Sequence, residues 1–535
     1  MKRPLFLLVY PEVPATYWSY KHALPFIGRR AVMPPLGLAT IAAMVPDDYE
    51  CQIVDMNVER LTDRRLAQAD LVLVSAMIVQ AGSMQRLISR CRNAGVPVAA
   101  GGPYATSCHS RIEGVDYFIL GEAELTFPRF LADYAAGRPQ PMYECDGRPD
   151  LETVPIPRLD LLKLKYYDTF PLQFSRGCPF DCEFCDIVHL FGHRPRVKGT
   201  EQFIAELDAV YASGFRGAVF IVDDNFIGNR RAVKDLLRAL AVWQEKHRKP
   251  FHFSTEASID LASDPELLDL MQAAKFSMVF VGIETPDAAS LSQAGKHQNV
   301  RRDVVESVRM IQERGIEVTG GFIIGFDSDP PGIFDLQIQH IEELAIPTAM
   351  VGLLMALPNT RLYERLKTEG RLLSESSGNN THDTVLNFRT AMDEETLRAG
   401  YLRVLETIYR PDRYFRRCLD VLERYPRQAG AARHERPIRL RELVGLGSSL
   451  VRQLFSSYRL DYVRYLWRAV RSRPDLIVSI ITFSIVGHHY FTITRAILRR
   501  NRATVRSERR RTERLANARS RDTIESVVDG REAIG

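Results

Sequence analysis

Short apolar runs alternate with amphipathic stretches from the start of the chain. Over residues 1–150 the runs "PLFLLVY", "YECQIVDMN", "DLVLVSAMI", "VPVAAGG" and "VDYFILGE" have the length and β-branched content of buried strands. Between them "PPLGLATIAAMV" and "SMQRLISRCRNAG" carry helical spacing, the first opened by proline and the second closed by Gly95. Strand–helix alternation predicts an α/β domain with a parallel, doubly wound sheet over 1–150. Residues 151–170, with prolines and no clear period, read as a linker. From 171 the alternation restarts with six strand-like runs: "PLQFSRG", "GAVFIVDDN", "FHFSTEAS", "MVFVGIE", "VTGGFIIGF" and "AMVGLLMALP". Helical patterns over 201–213, 230–247, 264–275, 301–314 and 332–344 separate them. Six such units are too few for a closed eight-fold barrel, so 171–374 is expected to be an open, partial (β/α)6 barrel of TIM-like design. After 375 the strand signal fades, and 375–498 reads as a helical domain followed by a charged tail over 499–535.

Composition changes this picture little. A hydrophobic share of 45% and a charged share of 26% are those of a core-forming globular protein. The net charge of +5 is concentrated in the tail, where eleven arginines face six acidic residues, leaving the body of the chain near neutral. A basic tail can suit nucleic acid or an anionic membrane surface, but on a neutral body it reads as a solvated, disordered end, and nucleic acid is not the expected partner. Cys51, Cys91, Cys108, Cys145 and Cys418 stand singly, without the spacing of a disulfide framework, which points to a reducing, cytoplasmic setting. The opening "MKRPLFLLVYPEVP" reads as a first strand rather than a leader. The run "LIVSIITFSIVG", Leu476 to Gly487, is 12 residues long, short of the roughly 20 that a membrane span needs. Bracketed by arginines, it is expected to be a core helix or a segment resting at the inner face of an anionic membrane.

The chemistry is concentrated in "SRGCPFDCEFCD", Ser175 to Asp186, on the loop after the first barrel strand. Cys178, Cys182 and Cys185 supply three thiols and no fourth cysteine lies near. A structural zinc site wants four ligands, with His189 and His193 as candidates for the fourth. A fully ligated electron-transfer cluster wants four cysteines. Three thiolates on one compact loop can instead hold three irons of a [4Fe-4S] cube and leave the fourth open to a co-substrate.

The CxxxCxxC spacing, with Phe184 before the last cysteine and a partial barrel around it, resembles the radical S-adenosylmethionine (SAM) superfamily. The resemblance implies that SAM chelates the open iron and is cleaved by electron transfer to a 5′-deoxyadenosyl radical. It also implies that strand-end residues line the SAM and substrate cavity: Phe184, Asp223, Asp224, Asn225, Glu256, Glu284, and Gly320, Gly321 and Gly325 of "GGFIIGF".

The N-terminal sheet is similar to the cobalamin-binding domain fused to many such enzymes. The usual DxHxxG signature is absent; His109 has Ser107, not aspartate, two residues before it. The fused class generally lacks that signature, so cobalamin remains implied. Ser75, Gly101, Gly102, Thr106, Gly121 and Glu122, at strand ends where such sheets bind ligands, become candidates for contacting it. The domain order resembles the cobalamin-dependent radical SAM methylases, in particular the subgroup of the hopanoid C-2 methylase. It implies C-methylation of an unactivated carbon on a small-molecule or lipid substrate, with a reductase or flavodoxin-type electron donor. A cobalamin-dependent cyclase without methyl transfer, an RNA methylthiotransferase and a non-catalytic iron–sulfur or zinc protein are the other readings.

Overall fold

A computed structural model of the chain describes residues 3–381, 384–427 and 440–502. Two parallel six-stranded sheets dominate it. The first contains β1 (Leu5–Tyr10), β2 (Glu50–Asp55), β3 (Leu71–Ser75), β4 (Val98–Gly101), β5 (Tyr117–Ile119) and β6 (Met142–Tyr143), in the order β2-β1-β3-β4-β5-β6. Its strands are buried on both faces, which is why β1 and β3 read as unbroken apolar runs. Helix Ala81–Asn93 covers one face with Met84, Leu87, Ile88 and Cys91, spaced as one stripe. Helix Leu36–Met44 covers the other through Leu38, Ala39 and Ala42. The order reverses between β1 and β3, which opens a crevice beyond the carboxyl ends of those strands.

The second sheet contains β7 (Thr169–Leu172), β10 (Ala218–Ile221), β11 (His252–Ala257), β12 (Phe276–Glu284), β13 (Glu317–Ile324) and β14 (Ala349–Leu353), all parallel and joined in chain order from β7 at one edge to β14 at the other. Between β7 and β10 the short β8 (Ser175–Arg176) and β9 (Arg196–Val197) pair antiparallel and frame the cysteine loop. Along β12, Val279, Val281 and Ile283 are buried beneath the outer helices, while Met278, Phe280 and Gly282 turn to the barrel interior.

The segment expected as a linker is packed mortar rather than a tether. It forms three short 3-10 turns, and Tyr167 buries its ring while its hydroxyl donates to the Asp55 carboxylate at 2.9 Å. The helical region holds helices Glu394–Ile408, Pro411–Arg424, Leu440–Leu454, Arg459–Ser472 and Pro474–Arg502. The last is long and apolar enough to cross a membrane by length and composition, but 61% of its most apolar window is buried inside the protein. Leu476, Ile480, Phe483, Tyr490 and Phe491 sit in the core, so the run read as a possible interfacial segment is a core helix. Residues 11–27 thread onto it: Tyr17 and Thr494 share a hydroxyl hydrogen bond of 2.7 Å, and His489 Nε2 lies 3.0 Å from the Tyr17 carbonyl. The charged tail expected over 499–535 lies outside the described residues from 503 on; 499–502 continue the last helix.

Candidate active site

The cysteine loop begins where β7 ends, and Asp223 sets that point. Its carboxylate accepts from the amides of Phe174 and Ser175, each at 2.8 Å, and from the Ser175 hydroxyl at 2.6 Å. Asp223 is therefore spent on fixing the loop. Gly177 then turns with φ +97°, and a Cβ there would meet the carbonyls of Arg194 and Gly192 at 2.9 Å, so no larger residue fits. Farther along, the Glu183 amide donates to the Ala294 carbonyl and the Glu183 carbonyl accepts from Leu362, both at 2.9 Å. Arg365 grips the Glu183 carboxylate at 2.6 Å, and Arg361 donates to the Asp181 carbonyl at 2.5 Å.

Held this way, the three thiols lie within electrostatic reach of one another, and all three are free. Burial raises each above the ordinary thiol value; the Phe180 amide and Asn225 partly offset this at Cys178, and Lys296 does so at Cys182. Among the described residues, no three Cys, His, Asp or Glu side chains converge as a single metal ion requires. Neither His189 nor His193 joins the three thiols in such a group. A cubane puts each thiolate on a separate iron, which suits three spaced thiols on one loop.

Around the loop the candidate residues divide. Phe184 packs against Phe326, with the Lys296 ammonium 5.9 Å from its ring centre. Asn225 Nδ2 lies 4.0 Å from Cys178 Sγ, while its carbonyl accepts from the Ser258 amide at 3.2 Å. Glu284 closes β12 in the left-handed region at φ +66°, strain that an ordinary glutamate avoids. It is ion-paired to Lys296 and buried. A Cβ on Gly282 would strike both partners, so that glycine makes room for the pair. Lys296 was not anticipated from the sequence. Burial alone would lower its pKa, but Glu284 and Cys182 raise it above the ordinary lysine value. Gly320 and Gly321 point to opposite sides of β13: Gly321 borders the Phe280 ring inside the barrel, and Gly320 packs outward near Phe322 and Ile283. Gly325 turns with φ +109° beside Leu397.

Three carboxyls gather at the ends of β10 and β11. Burial pushes Asp223 up to about 6. Burial and then the charge of Asp223 push Asp224 up to about 7. Burial, then Asp224 and Asp223, push Glu256 up to about 8. Glu256 keeps its proton in the fold long after an unfolded glutamate, near 4.3, has lost it. The native state then binds more protons than the unfolded one between those values, so stability falls as pH rises through that window. Glu256→Gln, which cannot ionise, should raise the melting temperature of the cluster-free protein by several degrees at pH 8 and by much less at pH 5, in parallel thermal scans.

A cavity of about 670 Å³ opens between the crevice of the first sheet and the mouth of the barrel. Ser75, Gly101, Gly102, Thr106, Gly121 and Glu122 all line it, as does Asp224, whose Oδ2 is buried without a hydrogen-bond partner. Its volume is that of a cofactor site. Gly102 (φ +82°) keeps the wall low: a Cβ there would sit 2.2 Å from Ser75 Oγ. The Thr106 hydroxyl accepts from the Gly121 amide at 3.0 Å, tying two rim turns together. No histidine or cysteine belongs to the lining. His109 lies outside it, edge-on to Phe118.

Glu122 has a second task. It meets Arg176 and Arg196 at 2.7 Å each, and Arg176 also grips Glu124 at 2.7 Å, so two buried carboxylates and two arginines bolt the first sheet to the cysteine loop. Burial alone would raise the Glu124 carboxyl, yet Arg176 brings it below the ordinary value. Arg176→Met strands Glu124 in the interface, and the expected cost is about 3–5 kcal/mol of unfolding free energy, read by urea titration.

Comparison with known proteins agrees with this geometry. The B12 binding domain model matches residues 27–131, the Radical SAM superfamily model 172–332, and the model of a domain of unknown function, DUF4070, 360–503. The chain is 42% identical to an uncharacterised methyltransferase of Synechocystis over 90% of this chain and 91% of that one. It is 38% identical to the hopanoid C-2 methylase of Rhodopseudomonas palustris over 71% of this chain and 73% of that one. The chain belongs to the cobalamin-dependent radical SAM methyltransferases. Its fold is shared with the methyltransferase TsrM of Kitasatospora setae, solved with cobalamin and a [4Fe-4S] cluster: the TM-score is 0.58 at 17% identity, over 84% of this chain and all of that one. The cobalamin-dependent radical enzyme OxsB superposes with a TM-score of 0.60 at 15% identity, over 94% and 81%. The enzyme class therefore carries SAM, a [4Fe-4S] cluster and cobalamin as cofactors.

Proposed function

We propose that this enzyme C-methylates an unactivated carbon of a polycyclic isoprenoid lipid, in the cytoplasm at or near the inner face of the membrane. The observation that carries the reading is the cavity that joins the rim at Ser75 and Gly102 to Asp224 at the barrel mouth, because cobalamin held there would face the barrel. Cys178, Cys182 and Cys185 would hold the cluster and the six rim residues would face cobalamin; when bound, the first supplies the electron that cleaves SAM and the second the methyl group. Phe184, Asp224, Asn225, Glu256, Glu284 and Gly321 are the residues to which we assign SAM, with Asp223 and Gly320 supporting them. SAM's ribose diol, adenine edge and sulfonium need fixed polar partners in a mostly apolar pocket. The lipid assignment is supported by the likeness to the hopanoid C-2 methylase and by the barrel wall, where the Trp18 ring lies 5.0 Å from Phe280 and Met278 turns inward. A reductase or flavodoxin-type protein would deliver the electron.

The test is anaerobic reconstitution with iron, sulfide and cobalamin, followed by SAM carrying a labelled methyl group, a chemical reductant and a hopanoid. Label in the hopanoid together with 5′-deoxyadenosine is the expected result. Cleavage with no labelled hopanoid would overturn the substrate, and an oxidised, unlabelled product would favour a cyclase.

A further inference from the structure

Helices Leu440–Leu454 and Arg459–Ser472 form a hairpin that packs on helix Pro474–Arg502 and on helix Pro411–Arg424, where Tyr465 stacks on Phe415 at 4.6 Å. Ser449 lies 3.1 Å from the Tyr462 hydroxyl and 3.2 Å from Ser484 Oγ, and the Tyr465 hydroxyl donates to the Ile480 carbonyl at 3.1 Å. Among the described residues, the surface turned away from these contacts carries large exposed apolar side chains. Of nineteen strongly exposed large apolar side chains among the described residues, ten fall between 443 and 470. On the first helix Leu443, Leu450 and Leu454 are spaced as one stripe, which ends at the turn in Phe455, 87% exposed. On the second, Leu460, Val463, Trp467 and Val470 repeat the spacing, with Trp467 64% exposed. Monomeric soluble proteins rarely leave such a stretch uncovered.

The charge beside it selects the occupant. Residues 443–472 contain five arginines and one acidic residue, Asp461. Arg464, Arg468 and Arg471 each follow an apolar residue of the second stripe, so a basic row runs along its edge, and Arg471 lies 5.6 Å from the Trp467 ring. An apolar face with tryptophan, edged by arginine, is the pattern of a helix lying in the plane of an anionic bilayer interface. We infer that the 440–472 hairpin docks this enzyme on an anionic lipid surface, with Phe455 and Trp467 entering the acyl boundary and the arginines meeting headgroups. The hairpin is also tied to the segment that reaches the barrel: Ile27 lies 3.2 Å from where a Cβ on Gly445 would stand, and Arg452 sits over the Phe26 ring at 4.9 Å.

The experiment is co-sedimentation of the cofactor-loaded full chain with phosphatidylcholine vesicles, with and without phosphatidylglycerol. Binding is expected only with the anionic lipid and should weaken as salt is raised. Arg464→Gln, Arg468→Gln and Arg471→Gln together should lower the partition coefficient roughly a hundredfold, at about fivefold per arginine. Phe455→Ser with Trp467→Ser should do the same without altering far-ultraviolet circular dichroism. Vesicle binding should shift the emission of the wild type to the blue relative to Trp467→Phe. Failure of folded wild type to sediment with anionic vesicles overturns the inference. So does a dimer in sedimentation velocity that Phe455→Ser with Trp467→Ser dissolves, since a second copy would then be the occupant. The assay contains no methyl acceptor, so its outcome is separate from that of the lipid-substrate reading; methylation of detergent-dispersed substrate should be unchanged in the arginine triple variant.

Discussion

Cys182→Ala should leave a folded protein that holds no intact cluster and forms no 5′-deoxyadenosine from SAM. The loop does not depend on this thiol for its shape. Asp223 fixes its start, Ala294 and Leu362 hold the Glu183 backbone, and Arg361 and Arg365 grip its far side. Losing one half-buried sulfur should therefore cost no more than about 1 kcal/mol of stability. The chemical loss is of a different order. A two-thiolate loop cannot keep three irons of a cube, and the variant leaves the buried Lys296–Glu284 pair facing an apolar methyl group instead of a sulfur. Iron and sulfide analysis, the broad visible absorbance of the cluster and product chromatography should all fall together. Cys145→Ser, at an exposed thiol away from the loop, is the matched control and should retain full cleavage. SAM cleavage surviving in Cys182→Ala would remove the chemical basis of the site.

The strands were readable because buried parallel sheets write themselves as apolar runs, and the six barrel strands stand within a few residues of those runs. The edges were less readable for identifiable reasons. The run beginning at Pro171 looks like a strand through Gly177, yet β7 stops at Leu172 because Asp223, fifty residues on, captures the next amides. The segment 151–170 has no period, and still Tyr167 is buried by a hydrogen bond to Asp55. Local pattern does not report pairings across such distances. Lys296 illustrates the same limit at the site: nothing in "AGKHQNV" marks a lysine whose partners, Glu284 and Cys182, are assembled only by the barrel. Glycines show a further one. Adjacent Gly320 and Gly321 look equivalent in sequence, but strand alternation turns one into the barrel and the other beneath the helices. The apolar run at Leu476 was conspicuous and proved to be core, while the exposed apolar surface lies on two arginine-rich helices whose average composition conceals it.

Gly102→Val should separate the two cofactors. Gly102 opens the turn after β4 with φ +82°, and its missing side chain leaves the space next to Ser75. A Cβ there would come within 2.2 Å of Ser75 Oγ and 3.3 Å of its Cβ, so Ser75 must move into the cavity or the turn must open. The left-handed backbone and the overpacking together should cost about 2–4 kcal/mol of stability. Gly137→Ala provides the control for strain, since it has φ +70° and open space around its Cβ, remote from the cavity. The cysteine loop takes its anchors from Asp223, just after β10, and from Glu122 and Glu124, after β5, rather than from Gly102 itself. Gly102→Val should therefore retain its cluster and still cleave SAM, while retained cobalamin, measured by corrin absorbance after gel filtration, falls more than tenfold and methyl transfer disappears. Gly137→Ala should bind cobalamin like the wild type. If Gly102→Val kept its corrin, the cavity between Ser75 and Asp224 would not be the cobalamin site, and the methyl group would have to reach the barrel from elsewhere.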